Sequence, residues 1–297
     1  MLRQVSLKRD FKEKREQINI MLDWFLPRKD DYPKEVHKAM RHTLFAGGKR
    51  LRPYLTILAY QLFKDKATDD VIKAASAIEL LHTYTLIHDD LPEIDNDDYR
   101  RGKKTCHVVF GSDIALLAGD ALLIESFNLV NNMEVPSGIK IKMLRDMAVF
   151  CGERGVIAGQ MQDILSEGKP VTKKTLEFIH LNKTAKLIQL CMRFGGYLAK
   201  VSDEDLANID EFGKMLGLAF QIRDDILDVE GTAENMGKTI GKDAAEQKAT
   251  YPSVFGMEKS KQIAEKYTKA AMKILEIYDS KAQLLKELTN ELLQRNN

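Results

Sequence analysis

A chain of 297 residues, 44% of them hydrophobic, is long enough to bury a substantial core as one large domain or two small ones. Its 45 basic and 44 acidic residues leave a net charge of +1, which excludes a bulk electrostatic pull toward nucleic acid or an acidic membrane surface. Cys106, Cys151 and Cys191 are odd in number, widely spaced and free of any metal-ligand pattern, as suits a reduced interior rather than a disulfide framework.

Met1 to Asp30 is charged throughout, with no apolar run that would make a signal peptide, and no later stretch has transmembrane length. The expectation is a soluble cytoplasmic protein. Between Val5 and Phe25, Leu7, Phe11, Ile18, Met21 and Phe25 recur among charges and predict an amphipathic helix that Pro27 stops. Pro33 opens a second helix through Leu44. The run Ala46-Gly47-Gly48-Lys49-Arg50-Leu51-Arg52-Pro53 breaks that pattern, and Pro53 suits the first position of a third helix, Tyr54 to Phe63, where its missing N–H goes unused. Cations ahead of a helix N-terminus make either an anion site or a basic surface turn.

A helix from about Asp69 carries Ile78, Leu81 and Leu86 into a core and ends near Pro92. Asp113 to Asn131 reads as the next helix and Ser137 to Leu165 as another long one. Gln160 and Asp163 on its final turns fit ordinary polar residues as well as a site. Thr172, after Pro170, caps a helix containing Lys183, Thr184 and Lys186. The connection Val201 to Asp205 leads into a further helix through Ile222. Glu230 to Ala249, with Gly231, Gly237, Gly241, Lys238, Lys242 and Lys248, is expected as a long loop able to close over phosphates. From Glu258 two more helical patterns are interrupted near Asp279. Sustained alternation is absent, so the fold class is all-α, and with neither linker nor repeat, residues 1–297 are expected to form one domain.

Two acidic clusters stand out. Asp89, Asp90, Glu93, Asp95, Asp97 and Asp98 crowd the end of the helix begun at Asp69, and Arg100 and Arg101 follow at once. The helix dipole already presents negative partial charge there, so further anions demand a cation. Hard divalent ions such as Mg2+ take carboxylate oxygens, keep waters and share substrate phosphates, which accounts for carboxylates followed by arginines. For one such cluster a solvated acidic loop competes equally. The second cluster, Asp224, Asp225 and Asp228, again closes an apolar run, Leu216 to Ile222. Asp224 and Asp228 are four apart, share a helix face and can hold one ion together. The recurrence points to metal binding. His82, Thr85 and Asp89 are spaced along one face, although His82 alone fits a core histidine equally well.

These residues resemble the trans-prenyltransferases, the short-chain polyprenyl diphosphate synthases, and within them the bacterial farnesyl diphosphate synthases. The resemblance rests on Gly47-Gly48-Lys49-Arg50-Leu51-Arg52-Pro53, on His88-Asp89-Asp90-Leu91-Pro92 with Asp95 to Gly102, on Gln221 to Asp228, and on Gly237-Lys238-Thr239 with Gly241-Lys242-Asp243; Gln294-Arg295-Asn296 looks like the family's usual end. It implies a single large helical bundle around a central cavity, the isoprenoid synthase type, acting as a homodimer. It further implies condensation of isopentenyl diphosphate with dimethylallyl or geranyl diphosphate, with three Mg2+ ions. On that resemblance Asp89 and Asp95 hold two ions and Asp224 a third, with Asp90, Asp225 and Asp228 completing the metal clusters. Arg100, Lys183, Lys238 and Lys248 contact the allylic diphosphate; Lys49, Arg52, His82 and Arg101 hold isopentenyl diphosphate. Thr184 and Gln221 line the reacting carbons.

Product length is expected to depend on Tyr84, Thr85 and Leu81, which precede Asp89 by one and two turns. At ~1.5 Å per residue Tyr84 lies about 7 to 8 Å below the metals, depth for a ten-carbon tail and little more, so a fifteen-carbon product is expected. A geranylgeranyl synthase is the same chemistry with a deeper pocket. A terpene cyclase would have no use for Lys49, Arg52 and Arg101 as a second diphosphate site, and a non-catalytic subunit would be expected to lose aspartates from one cluster. Glu93, Tyr99 and Lys104 depart from the common family pattern.

Overall fold

The computed structural model describes residues 6–230 and 249–294 and is 77% helical. In order the elements are α1 (Leu7–Phe25), α2 (Lys34–Leu44), α3 (Leu51–Gln61), α4 (Asp69–Asp89), β1 (Tyr99–Arg100), β2 (Lys103–Lys104), α5 (Cys106–Phe110), α6 (Ser112–Asn131), α7 (Ser137–Cys151), α8 (Val156–Ser166), α9 (Lys173–Ile179), a π-helical turn (His180–Ala185), α10 (Lys186–Ala199), α11 (Asp203–Glu230), α12 (Tyr251–Phe255), α13 (Met257–Glu276), a 3-10 turn (Asp279–Ala282) and α14 (Gln283–Gln294). Two compact units emerge, one from Met1–Ile57 and Ala67–Lys140, the other from Leu58–Lys66 and Ile141–Asn297. No helix of the described residues is long and apolar enough to cross a membrane.

In the first unit α4 is central. Thirteen of its 21 residues are buried, so most of its surface is enclosed, with α6, α1 and α2 packed against it, while His82, Thr85 and Asp89 stay half-buried. The run Ala74-Ala75-Ser76-Ala77 keeps its surface thin. Arg50, with φ +53°, turns its side chain inward to Glu79 (2.7 Å), the Leu44 carbonyl (2.6 Å) and Asn19 (3.0 Å), tying α1, α2 and α4 together. On α1 the buried stripe is Leu7, Asp10, Lys14, Ile18 and Leu22 rather than the expected one through Phe11, Met21 and Phe25. Tyr54 draws it there, giving its hydroxyl to Asp10 at 2.7 Å while Phe11 packs edge-on against its ring.

In the second unit the 28-residue α11 is the spine, contacted by α10, α13, the π-helical turn, α12 and α14. Glycines set the spacing. A β-carbon on Gly217 would collide with Ala185, one on Gly213 with the Gln189 backbone, and one on Gly159 of α8 with the Lys183 backbone. The π-helical turn is thus pressed between two helices that carry no side chain at the contact. Below it Leu176, Ile222, Ile226, Tyr251 and Ala264 form an apolar cluster.

Several sequence expectations are corrected here. Ser137 to Leu165 is two helices, because Gly152 and Gly155 close a turn whose backbone leaves no room for a β-carbon at 155. Pro53 is the third residue of its helix rather than the first; the first four N–H groups of a helix have no intrahelical partner, so it is equally harmless there. Leu86 is half-buried while Ile87 is buried. The helix after Val201 starts at Asp203, and Tyr251–Phe255 adds a helix that periodicity did not reveal. Strands do occur, as the hairpin β1–β2, in which Tyr99 pairs with Lys104 and Arg100 with Lys103. Arg101 and Gly102 make its turn with φ of +55° and +75°, the positive values of a two-residue hairpin loop.

Candidate active site

In the first unit the predicted residues fall into two neighbouring sets. Arg52 donates from Nη1 to His82 Nε2 at 3.2 Å, and Arg101 donates to the Gly47 carbonyl at 2.6 Å. Arg101 lies so close over Gly48 that a side chain at 48 would strike its guanidinium. Lys49 is exposed nearby in sequence. Burial, followed by the charges of Arg52, Arg101, Arg100 and Arg50, holds His82 well below the usual imidazole range. Because arginine can only donate, Nε2 accepts and Nδ1 carries the proton. A neutral imidazole thus stands among arginines, of which Arg50 is paired with Glu79 and Arg100 with Asp90.

The carboxylates stand at the C-terminal end of α4, the helix that also carries His82. Successive turns fold the chain back so that the Asp95 N–H donates to the Asp89 carbonyl at 2.9 Å, and both residues are half-buried. Six positions apart in sequence, they are hydrogen-bonded neighbours in space. Asp90 behaves differently: it is 1% exposed, and both its oxygens accept from Arg100 Nε at 2.7 and 2.9 Å. Burial raises its pKa against the opposing effect of Arg100. Below the carboxylates Thr85 donates to the His82 carbonyl at 2.8 Å, Leu81 is buried, and the Tyr84 ring meets His88 edge-on.

In the second unit Lys183 and Thr184 lie in the π-helical turn, a distortion that often marks functional positions. Lys183 is paired with Asp163 at 2.6 Å. Thr184 donates to Gln221 Oε1 at 2.8 Å, and Gln221 Nε2 donates to Asp225 Oδ1 at 3.0 Å. The other oxygen of Asp225 accepts the Tyr251 N–H at 2.8 Å, and His180 lies 3.5 Å from it. Asp225 is therefore buried and committed to protein donors like Asp90, whereas Asp224 and Asp228 are half-buried on α11. Lys238, Lys242 and Lys248 lie outside the described residues. Sequence reasoning missed His180 and Tyr251, and it left Asp163 undecided. A glycine inside a helical pattern, as at 159, marks a close backbone approach and was the available clue.

Oxygen donors alone make up each carboxylate set, the chemistry Mg2+ requires. Among the described residues no three His, Cys, Asp or Glu side chains converge to enclose an ion.

The two neutral histidines set an acid limit on stability. Burial and Lys183 push His180 down to about 3 against the raising effect of Asp163. Unfolded, His180 and His82 take protons near the ordinary ~6.5, so below that pH the unfolded chain binds more protons and stability falls as pH drops toward their folded values. Thermal unfolding should come earlier at about pH 5 than at about pH 7, by less in His180→Gln. An undiminished pH difference in that variant would contradict the assignment.

The profile of the polyprenyl synthetase family matches residues 33–292. The chain is 40% identical over 276 residues to the farnesyl diphosphate synthase of Geobacillus stearothermophilus, covering 92% of each. It is 42% identical over 292 residues to large subunit 1 of the chloroplastic heterodimeric geranylgeranyl pyrophosphate synthase of Arabidopsis thaliana, covering 96% of this chain and 78% of that one. Among solved structures, the geranyltransferase of Helicobacter pylori complexed with magnesium and isoprenyl diphosphate superposes with a TM-score of 0.85 at 32% identity, covering 98% of this chain and 97% of the other.

Proposed function

The chain belongs to the polyprenyl synthetase family, and on that premise we propose that it condenses isopentenyl diphosphate with dimethylallyl and then geranyl diphosphate to give (2E,6E)-farnesyl diphosphate. One observation carries the reading: α4 presents His82, held by Arg52, and two turns later Asp89, whose carbonyl accepts the N–H of Asp95 just beyond the helix. Those are the needs of two different diphosphates, one bound directly and one through metal.

Lys49, Arg52 and Arg101 would bind isopentenyl diphosphate, with His82 donating from Nδ1. Asp89, Asp95, Asp224 and Asp228 would hold Mg2+, three ions in all, and the metal when bound would neutralise charge growing on the departing diphosphate. Arg100, Lys183, Lys238 and Lys248 would add positive charge to the same group. Asp90 and Asp225 would serve by holding Arg100 and Gln221 in place. As the allylic C–O bond breaks, the isopentenyl double bond attacks the resulting cation and forms the new C–C bond. The proton lost from the adjacent carbon passes to the departing diphosphate, so no histidine base is needed. Thr184 and Gln221 would line the reacting carbons. A homodimer in the cytoplasm belongs to the same proposal, and the exposed Leu116, Leu117 and Ile124 on α6 support a protein contact there.

Incubation with isopentenyl diphosphate, each allylic starter and Mg2+, followed by separation by carbon number, tests the reaction. A fifteen-carbon product is expected; a dominant twenty-carbon product would favour the geranylgeranyl alternative, and no condensation would overturn both. Tyr84→Ala should lengthen the product. An unchanged product would remove Tyr84 from that role.

A further inference from the structure

Gly119 is buried on α6 against α4, and a β-carbon there would overlap Nε2, Cδ2 and Cε1 of the His88 ring. The imidazole is seated in the notch that the missing side chain leaves. It is anchored as well as seated: Nε2 donates to the Leu116 carbonyl at 3.1 Å, with Asp120 Oδ1 at 3.7 Å. From this position the ring meets Tyr84 edge-on, with centroids 5.7 Å apart and planes at 79°. Edge-to-face contact favours one relative orientation as well as a distance, so a ring held on one side biases the pose of the other. One turn of α4 separates the two residues, which makes the coupling direct.

We propose that His88, locked in the Gly119 notch, is the positioning residue that holds Tyr84 in the pose that ends chain growth, so that the pair His88 and Gly119 sets product length from outside the pocket. This rests on the proposed reaction and on Tyr84 as its floor. Neither His88 nor Gly119 touches the growing tail in this account. They act through the tyrosine, whose ring loses its edge-to-face partner once the imidazole is displaced or removed. Any residue larger than glycine at 119 would expel the imidazole, whereas the same change would be silent in a chain lacking His88.

The test compares product-length spectra, normalised to total product, for the unaltered enzyme, Tyr84→Ala, His88→Ala, Gly119→Ala and the double variant Tyr84→Ala/His88→Ala. His88→Ala and Gly119→Ala should each raise the ratio of longer to fifteen-carbon product several-fold, and the double variant should match Tyr84→Ala. Length distribution rather than rate is the readout, because a general loosening near Asp89 would slow turnover without moving the ratio. Should Gly119→Ala fail to fold, as judged by circular dichroism, His88→Ala carries the test alone. Longer product from Tyr84→Ala with none from His88→Ala sinks this inference and leaves the reaction standing. Additive effects in the double variant, or lengthening by His88→Ala when Tyr84→Ala has none, would show that His88 does not act through Tyr84. Absence of condensation by the unaltered enzyme would instead remove the reading beneath it.

Discussion

Asp89→Ala is expected to lower turnover by about a hundredfold to a thousandfold, the loss usual when one fixed element of transition-state charge stabilisation is removed, and Asp224→Ala to do the same. The measurement is steady-state condensation at saturating Mg2+ alongside circular dichroism. Folding should survive, because Asp89 is half-buried at the negative end of a helix dipole, where removing an anion relieves repulsion. Asp95 stays in place, since its N–H is held by the Asp89 backbone rather than the side chain. Near-normal rates in either variant would refute the proposed metal role. Asp90 supplies the contrast: its substitution strips a buried partner from Arg100 and should be felt in stability as well as rate.

Arg50→Ala is expected to cost about 3–5 kcal/mol, seen as a large fall in unfolding temperature, because it leaves Glu79 as an uncompensated buried charge. Both side chains are 3% exposed, so solvent cannot take over the lost contact. The Leu44 carbonyl and Asn19 lose their donor in the same step. Replacing both partners with apolar residues of similar volume should recover much of the loss. A fall too small to distinguish from that of an exposed cation such as Lys49 would refute the assignment. Within the run Lys49-Arg50-Leu51-Arg52, then, Arg50 holds the fold, while Arg52 meets His82 and Lys49 is exposed.

That division was not legible in the sequence, where the three cations look alike. Helices were legible wherever an apolar period of 3.6 met a proline or a cap, as at Pro27, Pro33 and Thr172. The break at Gly152 and Gly155 was hidden because apolar residues continue across it. The π-helical turn has no compositional mark, since Lys183 and Thr184 owe their register to glycines on two other helices. Both aspartate clusters were legible as crowded negative charge at the end of an apolar run. Which member of each pair faces inward was not, because that depends on Arg100 and on the Tyr251 N–H, and the latter contact is made by backbone, which leaves no trace in residue type. The hairpin of two-residue strands is too short for alternation to register.

The hairpin turn places Arg101 at φ +55°. Backbone geometry there favours glycine or asparagine, while the guanidinium donates to the Gly47 carbonyl and lies over Gly48, so the position is pulled two ways. Arg101→Gly should therefore ease the backbone while untying the hairpin from the Gly47 carbonyl, two effects that oppose one another in stability.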